Sequence, residues 1–555
     1  MSRQLQLNVA VVCIFWVAAN AALNSTCKCI SSASCWPSPV AWMSLNDTLE
    51  GRVHPTVLPK SVCPQGGAAS DTYIVNATEA KHIQAALLFA GENNLKVNVN
   101  NTGHAGTNTQ RSSTCGALYI HTHHMKGIEF YEAYTPQSCS RNVTHMAATL
   151  GAGEQDDDVF QALAKHQAVT VGGTYDTVGI VGWATSGGHG WLTSTYGQGA
   201  DNIYEVEIVT PTGKILIANE CQNTDIFWAT RGGGGGTYGV ISKITVKAYP
   251  MPQTTQWAWD IASRNGTSAK DWSRLVAELN AMMIDLNNEG FQGYCTITGS
   301  AEGPWTFGGY FMAYDKSTAT VQKTLSPFSA ALNASTHLAT LSFWNVDIFD
   351  TWIEAYNALP KQVADNTDGP GGVISVTRLL TREDLTKDVD VAAEMFESIA
   401  PNSKESELGV SGHVIAGSMI ASAKPVDDAL NPAWRNAGVH MVVKASWDKS
   451  LPTTTIQQIQ DRMTDQVGYA MRRLSPDSGC YINECDQYEP NWQWALYGPN
   501  YSRLRSIKAK YDPAEVLWCR KCVRSDEWRY DMEDGSLCRQ GLITNWPSYS
   551  LSDQV

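Results

Sequence analysis

The chain has 555 residues, 43% of them hydrophobic, enough for several domain-sized units or for two large lobes. It carries 54 acidic against 40 basic side chains, a formal charge of −14. That balance leaves no basic footprint for nucleic acid or for an anionic membrane surface, and it points to a small-molecule partner.

In chain order, residues 1–21 read as a signal peptide. Arg3 precedes the apolar stretch Val9 to Ala19, and Ala19-Asn20-Ala21 has the small-x-small form of a cleavage site. The stretch is too short to span a bilayer comfortably, so the expectation is secretion, with the mature chain starting near Ala22. Removing the leader leaves 13 cysteines: 27, 29, 35, 63, 115, 139, 221, 295, 480, 485, 519, 522 and 538. In an oxidising compartment most should pair, and the odd number leaves at least one free or intermolecular. Residues 22–66 form a cysteine-rich head, and Cys519, Cys522 and Cys538 a second staple. Cys519-Arg-Lys-Cys522 lacks the second pair that a zinc ribbon needs, so no metal is expected there. Sequons at Asn24, Asn46, Asn76, Asn100, Asn142, Asn265, Asn333 and Asn500 suit an exported surface.

Tyr73-Ile-Val75 reads as a strand. Asn76 or Thr78 can then cap a helix that puts Ala80, Ile83, Leu87 and Ala90 on one face, and Lys96 to Asn100 alternates as the next strand. This unit delivers the chain into Asn101-Thr-Gly-His-Ala-Gly106. His121 and His123 share a strand face, but two ligands without a third make no metal site. Asp156-Asp-Asp158 suits the positive end of a helix running to Lys165-His166. A strand Val169 to Val171 follows, and then the glycine loop opening at Gly172. Ile203 to Ile217 describes a hairpin turning at Pro211 and Gly213. Pro250-Met-Pro252 looks like a boundary. Beyond it, helix-like Ser273 to Glu289 and strands Thr306 to Ala313 and Val439 to Trp447 indicate a second, α+β lobe.

The run from Gly151 to Tyr249 is dense in glycine. Glycine lets backbone amides approach a large anionic ligand, so a phosphate-bearing cofactor is the first hypothesis. Gly234 to Gly239 satisfies GxGxxG, but strand-like Val240 to Val246 follows where a dinucleotide fingerprint needs a helix, and no P-loop exists. Four markers in order carry a resemblance. They are Thr102-Gly-His-Ala-Gly106; Thr177-Val-Gly-Ile-Val-Gly182 with Ser186-Gly-Gly-His-Gly190; Asp225-Ile-Phe-Trp-Ala-Thr-Arg-Gly-Gly-Gly; and Tyr481-Ile-Asn-Glu484 with Tyr497-Gly-Pro-Asn-Tyr501 and Lys510-Tyr-Asp-Pro513. Over nearly the whole mature chain they resemble the berberine-bridge-enzyme-like, vanillyl-alcohol-oxidase-like oxidoreductases. Cys27-Lys-Cys29 with Cys35-Trp-Pro37 looks like their secreted fungal branch.

The resemblance implies a two-lobed α+β fold. A PCMH-type FAD-binding domain would occupy 67–250, and a substrate-binding domain with an antiparallel sheet 251–470. A berberine-bridge-like segment, 471–525, would complete the FAD domain, and 526–555 would be a tail. It implies that FAD is cradled by Thr102, Gly103, His104, Ala105 and Gly106; by Gly172, Gly173 and Thr174; by Val178, Gly179 and Gly182; by Ser186, Gly187, Gly188, His189 and Gly190; and by Gly239, Val240, Asn483 and Asn500. It places the covalent link to the 8α-methyl of FAD on His104. The second link of many members comes from a cysteine at the position that is Tyr175 here, so attachment through histidine alone is expected. The family's base comes from the strand matching Val439 to Trp447 and from the Tyr-x-Asn segment, which nominates His440 as base and Tyr481 as partner. Val178 stands at the family's oxygen-gating position, where valine favours an oxidase that reduces O2 to H2O2.

The expectation is therefore a secreted, monomeric FAD-dependent oxidase acting on an alcohol or activated C–H of a small organic metabolite. The alternatives are an extracellular carbohydrate oxidase and a non-catalytic flavin- or sugar-binding protein.

Overall fold

The computed structural model describes residues 27–56, 72–104, 114, 116–140, 144–299, 304–360, 372–400, 411–416, 426–447, 450–531 and 535–540. The expected signal peptide lies outside the described residues, as do Ala105, Gly106, Cys63, Cys115, the sequons at Asn24 and Asn142, and the tail beyond 540. No helix among the described residues is long and apolar enough to cross a membrane.

Four strands, β1 (Val53–Thr56), β2 (Thr72–Asn76), β3 (Lys96–Asn100) and β4 (Ala117–His121), form a sheet in the order β1-β2-β4-β3. The helix Ala80–Glu92 connects β2 to β3 and buries Ile83, Ala86, Leu87 and Ala90. This is the strand–helix–strand unit legible in the sequence, with β4 inserted parallel between its two strands. Its N-cap is Glu79 rather than Asn76 or Thr78: the Thr78 hydroxyl lies 3.3 Å from His82 Nδ1 instead.

A second sheet has the order β5-β6-β10-β8-β9, antiparallel throughout. Its strands are β5 (Ile128–Tyr134), β6 (His145–Gly151), β8 (Ile203–Val209), β9 (Ile215–Asn219) and β10 (Val240–Lys247). The helix predicted after the three aspartates spans Asp156–Ala164. The strand expected at Val169 to Val171 is shorter, β7 (Ala168–Val169), and it pairs with β11 (Tyr249–Pro250). The proline boundary is thus stitched back to the first lobe.

The second lobe is a seven-stranded antiparallel sheet, order β15-β12-β14-β13-β17-β18-β16. It comprises β12 (Thr254–Ser263), β13 (Gln292–Thr298), β14 (Thr306–Tyr314), β15 (Ala339–Phe349), β16 (Gly372–Thr381), β17 (Ser411–Ala416) and β18 (Ala437–Trp447). Side chains alternate across a strand. Trp257, Trp259 and Ile261 of β12 pack on helices such as Ala269–Asn288, while Ala258 and Asp260 turn to a cavity on the other face.

The C-terminal segment returns to the first lobe. Lys510 Nζ and Tyr511 Oη donate to Asp225 at 2.5 and 2.8 Å, joining the third and fourth sequence markers. Lys508, 2% exposed, donates to Thr237 O and Leu517 O at 2.7 Å each and pairs with buried Asp512 at 2.5 Å. The short pair β19 (Trp528–Tyr530) and β20 (Leu537–Arg539) follows, and a disulfide from Cys538 to Cys27 ties the two cysteine clusters together. Further disulfides join Cys29 to Cys35, Cys139 to Cys221, Cys480 to Cys485 and Cys519 to Cys522, and Cys295 is free and buried. Removing one member of a buried ion pair costs about 3–5 kcal/mol because the other charge is stranded. Lys508→Met is therefore expected to lower the thermal midpoint by several degrees. An unchanged midpoint in calorimetry would show that this ammonium does not hold the C-terminal return in place.

Candidate active site

Histidines build the first wall of the site. After β3 the chain turns at Asn101, whose carbonyl accepts from His121 Nε2 at 2.8 Å and whose side-chain oxygen lies 3.3 Å from His123 Nδ1. Asn101 Nδ2 in turn donates to Ala152 O at 3.1 Å. These contacts fix the turn that presents Thr102, Gly103 and His104. His104 Nε2 lies 2.7 Å from Thr177 Oγ1, and desolvation lowers the imidazole pKa, favouring the neutral ring.

Asp156 builds the second wall. It is fully buried and accepts from Gly173 N at 2.6 Å, so the helix start pins the glycine loop, while burial pushes its carboxyl well above the usual range. The loop leads through Val178 and Gly179 into the helix Ile180–Thr185. Gly235 and Gly236 form a third side, and Lys444, Tyr481, Asn483 and Glu484 complete a cleft of about 520 Å³.

The cradle divides the predicted residues in two. Thr102, Gly103, His104, Gly173, Thr174, Val178, Gly179, Gly182, Ser186, His189, Tyr481 and Asn483 line the cleft. Gly172, Gly187, Gly188, Gly190, Gly239, Val240, Asn500 and His440 do not. A Cβ at Gly190 would fall 1.7 Å from Gly172 O, so that glycine serves backbone packing, as does Gly239 against Ile208. Val240 is core, and Asn500 donates to Leu430 O. Gly103 and Gly182 behave differently: a Cβ at either would meet nothing within 4 Å and would project into open space.

A second cavity, about 630 Å³, lies under the seven-stranded sheet. It shares Thr174, Tyr175, His189, Lys444 and Glu484 with the first. At this junction His189 Nε2 stands 3.4 Å from Glu484 Oε1, and His440 Nδ1 stands 3.8 Å from Glu484 Oε2. His189 Nδ1 is 3.0 Å from Tyr294 Oη. Burial raises the Glu484 carboxyl, but His189, through its charge and hydrogen bond, and the Lys444 ammonium more than reverse this, leaving it at about 2 and ionised.

Sequence reasoning took Glu484 only as the end of a motif and His189 as part of the FAD cradle. Their pairing joins parts of the chain almost 300 residues apart, and nothing local to either residue marks it. His440 is no surface residue of an edge strand: β18 runs between β16 and β17, and the ring is 2% exposed. Both its nitrogens lack a hydrogen-bond partner. Tyr481 accepts from Asn483 Nδ2 at 2.8 Å and packs edge-on against both histidines.

The family described as FAD binding domain matches residues 72–219, and that described as berberine and berberine like matches 480–524. The FAD-linked oxidoreductase patO of Aspergillus clavatus is 30% identical, covering 93% of this chain and 95% of its own. The chain belongs to the FAD-linked oxidoreductases. The VAO-type flavoprotein MtVAO713 of Myceliophthora thermophila C1 has the same fold at a TM-score of 0.83 and 25% identity, over 93% of this chain and 100% of that one. A glucooligosaccharide oxidase of Acremonium strictum, described with a 6-S-cysteinyl, 8α-N1-histidyl FAD, shares the fold at a TM-score of 0.65 and 17% identity, over 86% and 99% of the two chains.

The first cavity of this oxidoreductase fits FAD. Gly103 and Gly182 leave main chain bare along it, so no Cβ at either position would block a ligand lying in the cleft.

Burial brings the His440 imidazole down to about 3 from the ordinary 6.5, against the opposing charge of Glu484. Between those values the unfolded chain takes up a proton that the folded chain refuses. Stability held above about 6.5 is therefore lost as pH falls, at up to about 1.4 kcal/mol per unit. Glu484 adds its own loss only below the usual carboxylate value of 4.5. Between about pH 7 and pH 5, His440→Asn is expected to flatten the fall in thermal midpoint relative to the parent protein. Parallel profiles would place the pH sensitivity elsewhere.

Proposed function

We propose that this FAD-linked oxidoreductase is a secreted oxidase that removes a hydride from an alcohol or activated C–H of a small organic substrate, with His189 and Glu484 handling the proton. The observation that carries the reading is the junction itself. A histidine and an ionised carboxylate line both the cofactor cleft and the adjoining cavity, so they face any molecule that spans the two.

FAD, held in the first cavity, would accept the hydride and return the electrons to O2 as hydrogen peroxide. The chain's part is positioning and proton transfer. His189 Nδ1 lies 3.0 Å from Tyr294 Oη and Nε2 lies 3.4 Å from Glu484 Oε1, so a proton taken up by this ring would be held beside a carboxylate that compensates its charge. Burial keeps the Tyr294 phenol neutral by raising its pKa well above the usual range, so it remains a fixed partner. His440 touches neither cavity and acts through Glu484. This reading moves the base from His440 to His189 and leaves Tyr481 as part of the wall.

The neutral imidazole of His104, on the cleft wall beside Thr177, supports single covalent attachment there. Tyr175, at the cleft and 36% exposed, has no thiol for a second link. The leader sequence and the disulfides support secretion. A carbohydrate oxidase remains the second reading, favoured by the hydroxyls of Thr296, Thr298 and Thr306 on the cavity wall.

Three measurements test the proposal. A proteolytic peptide containing His104 is expected to be heavier by one FAD, and His104→Ala to lose that mass; an unmodified peptide from yellow protein defeats the covalent assignment. Glu484→Gln and His189→Asn are each expected to slow anaerobic flavin reduction about 10²–10⁴-fold, with a smaller effect from His440→Asn. The reverse ranking would return the base to His440. Val178→Leu should slow reoxidation of reduced flavin by O2 in stopped flow while leaving its reduction unchanged, and an unaltered reoxidation rate removes the gating role of Val178.

A further inference from the structure

The second cavity carries a charge imbalance that hydride chemistry does not use. Besides Glu484 its walls hold the carboxylates of Asp157, Asp176 and Asp260, against the single ammonium of Lys444. Each of the three aspartates is satisfied by a neutral donor. Asp157 accepts from Gln161 Nε2 at 3.2 Å, Asp176 from Tyr356 Oη at 2.8 Å, and Asp260 from Ser342 Oγ at 2.6 Å. Among the described residues none of the three forms an ion pair, although ion pairs are frequent elsewhere in the molecule. No cationic side chain therefore pairs with any of the three, and only Asp157 gains from a helix N-terminus.

Two further observations point to a ligand rather than to a solvated acidic surface. Asp260 faces Gly308 across the β12–β14 ladder, and a Cβ on Gly308 would fall 2.5 Å from Asp260 Oδ1. Any larger residue at that position would crowd the carboxylate. Trp191, 6% exposed, adds an aromatic ring to the cavity wall. Aromatic rings complete the walls, among them Tyr294, Tyr310, Phe343 and Tyr356. Carboxylates beside aromatic faces attract an organic cation both by charge and through the ring quadrupoles. A neutral polyol can donate hydrogen bonds to the carboxylates but lacks the long-range attraction that a cation has.

We infer that the second cavity selects a substrate bearing a positively charged nitrogen, held by Asp157, Asp176 and Asp260 and the neighbouring rings, with its reacting carbon at the Glu484 junction. The inference rests on the reading of this cavity as the substrate site. Asp157, Asp176 and Asp260 line only the second cavity, so the cation would sit apart from the hydride-donating carbon.

The test uses the purified holoprotein and three matched probes: 4-(trimethylammonio)benzyl alcohol, its neutral isostere 4-tert-butylbenzyl alcohol, and 4-carboxybenzyl alcohol. Binding is followed by tryptophan fluorescence, and turnover separately by anaerobic bleaching of the flavin. The cation is expected to bind about tenfold more tightly than the isostere and the carboxylate most weakly, with added salt weakening only the cation. Asp260→Asn and Asp176→Asn keep the Ser342 and Tyr356 hydrogen bonds, so folding is preserved. At least one is expected to lower cation affinity about tenfold while changing the isostere less than about twofold. Equal affinity for cation and isostere, or full cation affinity in both variants, overturns the inference. Cation-selective binding without bleaching would sink the oxidase reading and leave charge selection standing; bleaching by all three probes alike would do the opposite.

Discussion

The site depends on keeping the partly buried Glu484 carboxylate ionised where the two cavities meet. An isolated buried carboxylate would take up a proton instead. Here His189 at 3.4 Å and the Lys444 ammonium favour the charged form, while the neutral His440 ring stands 3.8 Å away, and these groups come from different parts of the fold. His189 ends the glycine-rich loop of the first lobe, His440 sits on an interior strand of the second, and Glu484 belongs to the returning C-terminal segment. The three meet only if both lobes and the return are correctly docked, so the chemistry and the tertiary assembly depend on one another.

That docking has its own supports. Lys508 reaches from the C-terminal helix to Thr237 in the glycine run, and Asp225 receives Lys510 and Tyr511. Cys480 and Cys485 bracket the short turn that carries Tyr481, Asn483 and Glu484. This disulfide limits the conformations open to the segment and so holds the carboxylate at the junction.

Glycine does two kinds of work in the cradle. At Gly103 and Gly182 the missing side chain leaves open space, as a close ligand requires. At Gly190, Gly188 and Gly239 it lets protein approach protein: Gly190 meets the Gly172 carbonyl and Gly188 the Trp183 ring. Composition alone registers both as the same signal. The glycine-rich stretch lies largely within the part of the chain that matches the FAD binding domain, and only some of its glycines line the cleft.

Local physics made most of the fold legible. The apolar face of Ala80–Glu92, the acidic start of Asp156–Ala164 and the Pro–Gly turn between β8 and β9 depend on neighbours a few residues apart, and all were readable in one dimension. Motif order likewise disclosed an FAD lobe closed by the C-terminus, because such motifs are contiguous. Only the tertiary structure decided which groups share the active site. His189, Glu484 and His440 lie far apart in sequence, and a charge's effect on its neighbours is set by distance and burial in space. The same reason hid the unbalanced aspartates of the second cavity: the chain holds 54 acidic residues, and only the folded walls gather Asp157, Asp176 and Asp260 around one cavity with Lys444 as its single ammonium.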